Sequence, residues 1–140
     1  MTENFVAHQI VDASYKIHVA LGPGLLESVY QHVLAFELAE RGLRFELQRP
    51  IPVHYNGLEF EVGYRADMIV EDAVIVEIKS VEAVHPVHKK QLLTYLRLAD
   101  KRLGLLVNFN VCLIKDGITR VVNGLGEDIS RQDAKSQSAT

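Results

Sequence analysis

The sequence predicts an α/β domain, a mixed central β-sheet flanked by helices, running helix, helix, three or four strands, helix and two further strands. Three observations predict it. Apolar residues recur at helical spacing through the first forty positions. The period changes to two from Leu43 to Lys79. A single helical stretch opened by Pro86 then returns before the last apolar runs.

Residues 5–20 (FVAHQIVDASYKIHVA) carry Phe5, Ile10, Ala13, Ile17 and Ala20 at helical intervals, and Thr2 stands where an N-cap belongs. Two glycines and a proline at 21–24 (LGPG) break that helix. A second runs to about Arg41 with Leu26, Val29, Val33, Leu34, Phe36 and Leu38 as its buried side, and Gly42 stops it. Phe45, Leu47, Ile51 and Val53 then alternate. Pro50 and Pro52 cannot donate to a ladder, which puts this strand at an edge. Tyr55-Asn56-Gly57 is a turn, and 58–64 alternates as a strand. Residues 66–70 and 73–79 are strands on either side of Glu71-Asp72. A helix from Pro86 to near Asp100 leads to a strand at Leu103–Phe109. Leu113–Ile114 and Ile118–Val122 complete the sheet, joined at Asp116-Gly117. No internal repeat interrupts this order. The stretch from Gly126 is polar and without apolar period, so one domain is expected over 1–125 with a disordered tail over 126–140.

At 140 residues and 48% hydrophobic, the chain suffices for one core and not for two. A net charge of −3 argues against a protein that coats nucleic acid through bulk charge, so any phosphate affinity must be local. No apolar run approaches the ~20 residues that span a bilayer, and the first residues lack the basic-then-apolar order of a secretory signal. Cys112 is the only cysteine, which excludes an internal disulfide and a Cys-rich zinc site. A cytoplasmic setting is expected, with Cys112 as a small core residue.

The chemistry lies in RADMIVEDAVIVEIK, 65–79. Strand alternation puts Asp67 with Ile69, Met68 with Val70, and Ile75 with Glu77 and Lys79. Antiparallel pairing that merges the two aliphatic faces sets Met68 against Val76 and Val70 against Val74, which brings Asp67 opposite Glu77. A three-residue loop at 71–73 gives this register, whereas a two-residue turn would slip it by one. Opposed carboxylates repel, and a hard dication such as Mg²⁺, which takes one or two carboxylates and keeps several waters, relieves them. Lys79 on the same face is placed to orient or activate one of those waters for attack on a phosphodiester. An isolated E-x-K is ordinarily a solvated sheet face; with the aligned aspartate, that reading and a metal site weigh about equally.

Asp67, nine intervening residues and then Glu77-Ile78-Lys79 resemble the active-site pattern of the PD-(D/E)xK nuclease superfamily. More narrowly, Gly24-Leu25-Leu26-Glu27-Ser28-Val29-Tyr30 is similar to the naming motif of the GxxExxY protein family within it, and the likeness extends over about residues 5–124. Ala66 stands where the superfamily motif has its proline. The resemblance implies a restriction-endonuclease-like core and a Mg²⁺- or Mn²⁺-dependent nuclease. It implies Asp67 and Glu77 as principal metal ligands, Glu27 as an assisting helical acid, Lys79 as the catalytic lysine and Gln91 as its supporting glutamine. Tyr30 falls on the face of Glu27, and Tyr95 on that of Gln91.

Four residues are possible substrate contacts: Tyr30, Arg65, His88 and Tyr95. Arg65 serves equally as a salt-bridge partner of Asp67, and His85 and His88 read first as solvent-facing or capping residues. Lys89, Lys90, Arg97, Lys101 and Arg102 make the helix after the motif basic, the best local candidate for a phosphate-attracting patch. The expected function is phosphodiester hydrolysis, in DNA rather than RNA and away from membranes. The alternative is a nucleic-acid- or protein-binding module with the same fold and weak catalysis. A third reading is a subunit whose site is completed by homo-oligomerisation.

Overall fold

Thr2 accepts a hydrogen bond from the Phe5 amide at 3.1 Å, satisfying an amide that the first turn leaves without a partner, and so starts helix α1 (Glu3–Leu21). The structure, a computed structural model, describes residues 1–125, and the tail expected to be disordered lies outside the described residues. Helix α2 (Glu27–Glu40) follows, with Gly42 at φ 78° just beyond it. Strands β1 (Phe45–Tyr55), β2 (Leu58–Val70) and β3 (Val74–Lys79) come next. Helix α3 (Pro86–Ala99), with Pro86 in its first turn, crosses to β4 (Leu103–Asn108), and β5 (Ile118–Val122) ends the order. The five strands form one sheet in the order β1-β2-β3-β4-β5, and β3–β4 is its parallel pair.

The turn chemistry acts as expected. Asn56 (φ 47°) and Gly57 (φ 85°) are both left-handed and connect Tyr55 to its partner Leu58, the geometry of a tight hairpin. Val70 pairs with Val74 and Met68 with Val76, so 71–73 is the loop, in the register the aliphatic faces require. β1 is an edge strand, and Pro52 sits where its register with β2 shifts between Ile51 and Val53.

Helices cover both faces of the sheet. Met68, Val70, Val74, Val76, Ile78, Leu103, Leu105 and Val107 pack against Ile10, Ile17, Leu34 and Leu38 of α1 and α2. On the other face Ile69, Ile75 and Leu106 meet Leu92 and Leu96 of α3. Gly104 lets α3 approach closely, since a Cβ on it would stand 3.0 Å from the Leu92 side chain. β3 and β4 are thus covered on both sides, as central parallel strands require.

Four expectations are corrected. Asp116-Gly117 is not a hairpin turn: Ile114–Gly117 is a short 3₁₀ turn, Ile114 is buried, and a Cβ on Gly117 would come within 2.1 Å of the Asn108 carbonyl. The buried arc of α1 runs through Val6, Ala7, Ile10, Ala13, Ser14, Ile17 and His18, leaving Phe5 and Ala20 exposed. In α2 it runs through Tyr30, Leu34, Ala35 and Leu38, so Leu26, Val29 and Phe36 face outward and Val33 is only partly buried. Both helices carry two adjoining apolar arcs, and the sheet takes the inner one. Cys112 is exposed, because Phe109 and Ile114 fill the nearby core positions.

Candidate active site

The β1–β2 ribbon turns over at one point. Gln48 adopts φ 53°, and beyond it Ala66, which alternation would place with Met68, is buried with Ile69 and Ile75. Asp67 is the residue at the crossover. The common strand face expected for Asp67, Glu77 and Lys79 is therefore replaced by a different convergence. Asp67 fronts a cleft of about 680 Å³ beside the start of α2, shared with Glu27, Gln31, Gln48 and Ser80. Glu77 and Lys79 alternate with Ile78 and so approach from the α3 side.

The two acids meet where the β2–β3 ladder stops. Past Met68–Val76, side chains take over from backbone: the Asp67 amide donates to Glu77 Oε2 at 3.1 Å, and the Ile78 amide donates to Asp67 Oδ2 at 2.8 Å. Each carboxylate is thus held by the opposite strand. The Tyr64 hydroxyl also donates to Glu77 Oε2, and Tyr64 stacks on Tyr95 of α3. Gln48 Nε2 bridges Gln31 of α2 at 2.9 Å and Asp67 Oδ1 at 3.4 Å.

Burial pushes both acids toward their neutral forms. Glu77, 8% exposed, is raised to about 7, by desolvation first and then by the charge of Asp67. Asp67 is raised too, chiefly by desolvation, with the Ile78 amide and the Gln48 amide opposing it. Lys79 is half-buried at the end of β3, its charge lowers both, and it forms no ion pair among the described residues. This sets a direction for stability in the metal-free chain. The penalty on Glu77 is absent below about 4.5, where the folded and unfolded chains both bind the proton, and complete above about 7. Lowering the pH from 8 to 5 is expected to stabilise the parent relative to Glu77→Gln by on the order of 3 kcal/mol. Urea unfolding of the two proteins across that range checks it; parallel curves would contradict it.

The end of β3 is pinned on both sides. Ser80 donates its hydroxyl to the Leu25 carbonyl at 2.6 Å and its amide to Glu27 Oε2 at 3.3 Å, which ties the start of α2 to the strand carrying Glu77. Glu27 is exposed and near enough for its charge to raise Asp67. Buried Asn108 accepts from the Val81 and Asn110 amides and donates to the Val81 carbonyl, fixing the chain just past Lys79. Sequence reasoning missed Asn108, Gln48 and Tyr64. An asparagine ending an apolar run reads as a turn residue, and neither of the others carries a motif.

The remaining expected residues fall in various places. Tyr30 is fully buried, stacks on Phe109 at 4.3 Å, donates its hydroxyl to the Gly22 carbonyl at 2.6 Å and accepts from the Leu25 amide at 3.2 Å. It holds the loop before Glu27 and presents nothing to a substrate. Tyr30→Phe is expected to cost about 1–3 kcal/mol of stability in a denaturant titration while leaving ligand affinity unchanged; unchanged stability with lost affinity would restore the contact role. Arg65 is exposed and donates to the Gln48 carbonyl at 3.3 Å, making no ion pair with Asp67. His88 Nδ1 accepts from the His85 amide at 3.3 Å, a capping role, and the ring lies near enough to Lys79 and Glu27 for their charges to act on it. Gln91 is exposed on α3 and Tyr95 half-buried one turn on. Lys101 pairs with Asp72 and Arg102 with Glu3, which leaves Lys89, Lys90 and Arg97 as the exposed remainder of the basic run.

Among the described residues no three His, Cys, Asp or Glu side chains come together as a ready metal cage. Two carboxylates, Glu77 buried and Asp67 half-buried, both pushed toward the neutral form, still suit a hard dication, because Mg²⁺ is commonly held by one or two carboxylates with water completing its shell. Among the described residues no helix is long and apolar enough to cross a membrane. The chain matches the family model of the PD-(D/E)XK nuclease superfamily over residues 4–121, and its sheet with helices on both faces is consistent with a restriction-endonuclease-like fold. No curated protein and no solved structure matches it.

Proposed function

Because the chain belongs to the PD-(D/E)XK nuclease superfamily, we propose that it hydrolyses phosphodiester bonds in nucleic acid with the help of Mg²⁺ or Mn²⁺, and that DNA rather than RNA is its substrate. The segment Gly24-Leu25-Leu26-Glu27-Ser28-Val29-Tyr30 supports the GxxExxY family as its place within the superfamily. A single cysteine supports a cytoplasmic setting.

One observation carries the reading: Asp67 and Glu77 are held together, partly desolvated, with the ammonium of Lys79 acting on both. A hard dication bound there would neutralise charge on the phosphate and make an attacking water more acidic. Asp67 and Glu77 hold the ion, and Glu27 assists from the first turn of α2. Lys79 orients the water and stabilises charge developing on the phosphate. Gln91 supports the site from α3, and Arg65, His88 and Tyr95 line the approach of the substrate. Lys89, Lys90 and Arg97 supply the local positive surface that the net charge of the chain does not.

The test is cleavage of short single- and double-stranded DNA and of RNA by the purified chain, titrated with Mg²⁺ and Mn²⁺. Metal-dependent cleavage that favours DNA is the expected result. DNA binding that responds to salt with no cleavage at any metal concentration would support the binding-module reading instead.

A further inference from the structure

We propose that Tyr64 is the positioning residue for Glu77 and fixes which of its two carboxylate oxygens is offered to a cation; this rests on the metal-dependent reading above. The Tyr64 hydroxyl and the Asp67 amide both donate to Glu77 Oε2. A carboxylate oxygen has two lone-pair positions, so two donors fill Oε2. Among the described residues Oε1 accepts no hydrogen bond. Glu77 therefore offers one oxygen, Oε1. The last torsion of a glutamate side chain is soft, and donors on a single oxygen hold it in one orientation.

Tyr64 is itself held firmly. Its ring stacks on Tyr95 with centroids 3.3 Å apart and planes at 14°, and it packs against the core cluster of Ile51, Ala66 and Ile75. It reaches Glu77 because β2 has turned over at Asp67. In an unbroken strand Tyr64 and Ala66 would lie with Met68 on the α1–α2 side; after the turnover both lie with Ile75 on the side from which Glu77 approaches. A phenol ordinarily ionises at about pH 10, so the hydroxyl is a donor at neutral pH. The hydroxyl contributes nothing to the ring stack, so Tyr64→Phe removes the donation alone.

The experiment is a Mn²⁺ titration of the full chain by calorimetry or electron paramagnetic resonance, on the parent, Tyr64→Phe and Tyr55→Phe, with melting of each metal-free protein alongside. Tyr64→Phe is expected to bind Mn²⁺ about 10-fold or more weakly, the usual effect of losing an outer partner of a metal ligand, while melting close to the parent. Tyr55→Phe loses the same kind of hydroxyl at the exposed β1–β2 hairpin, away from the site, and is expected to match the parent in both. Parental affinity in Tyr64→Phe, equal losses in the two variants, or a loss that only follows a fall in melting temperature would each overturn the positioning role and leave the nuclease reading intact. A parent chain that binds no Mn²⁺ would overturn both.

Discussion

Glu77→Ala is expected to abolish dication binding and to lower nucleic-acid cleavage on the order of 10³-fold or more, the effect of losing several kcal/mol of transition-state stabilisation. The expectation rests on the small number of donors. Asp67 and Glu77 are the two carboxylates joined at the gap between β2 and β3, and Glu27 spends Oε2 on the Ser80 amide. With Glu77 gone, Asp67 alone cannot hold a hard ion against water. The fold should survive, because the removed group is a buried acid raised to about 7, whose charge opposes folding at neutral pH. Glu77→Gln sharpens the experiment: it keeps the volume and a partner for the Tyr64 hydroxyl while removing the charge, and it too should fail to bind. Calorimetric titration with Mn²⁺ beside cleavage of a short oligonucleotide reads both quantities. A Glu77→Ala protein that binds Mn²⁺ with parental affinity would put the ion elsewhere and remove the basis of the nuclease assignment.

Lys79→Ala should separate the two quantities. Lys79 carries positive charge and cannot ligate a cation while protonated, so its loss is expected to leave Mn²⁺ affinity close to the parent's, or slightly tighter, and to lower cleavage by about 10²–10⁴-fold, the usual range for a group that manages a proton or developing charge. Its ammonium acts on Asp67 and Glu77 together and makes no ion pair among the described residues, so it is free to meet a phosphate or a water. Lys79→Arg keeps the charge and changes the shape of the donor, and partial recovery of cleavage would indicate that charge dominates over geometry. Full activity in Lys79→Ala would remove the lysine from the mechanism.

Much of the architecture was legible because it rests on local chemistry. Thr2, Gly42 and Pro86 mark helix ends through their own backbone and side-chain geometry. Pro50 and Pro52 put β1 at an edge, and the aliphatic faces of β2 and β3 selected the loop at 71–73 without any knowledge of the rest of the chain. That same register brought Asp67 level with Glu77, but the shared strand face it implied is overturned by the turnover of β2. What stayed hidden depends on a backbone departure that no residue type announces. Gln48 is neither glycine nor asparagine, yet it sits at φ 53°, and the resulting turnover sends Asp67 to the α2 cleft and brings Tyr64 to Glu77. Helix faces were misread where two apolar arcs adjoin: Phe36 and Leu26 look as buried by spacing as Leu34 and Leu38 do, and only the position of the sheet separates them. Tyr30 matched the family motif as a candidate contact, and only its place under the loop gives it a structural role.

The short connection between β2 and β3 also bears on how the chain folds. Val70 pairs with Val74 across three residues, so the hairpin that brings Asp67 to Glu77 closes over a very small chain separation, whereas Glu27 reaches Ser80 only across 53 residues. Contacts of low sequence separation form early. The two carboxylates are therefore brought together at hairpin closure, on a timescale of about 1–10 μs, while water still screens them, and the desolvation that raises both follows when the helices pack. Electrostatic frustration at this site is a property of the folding route as well as of the finished molecule.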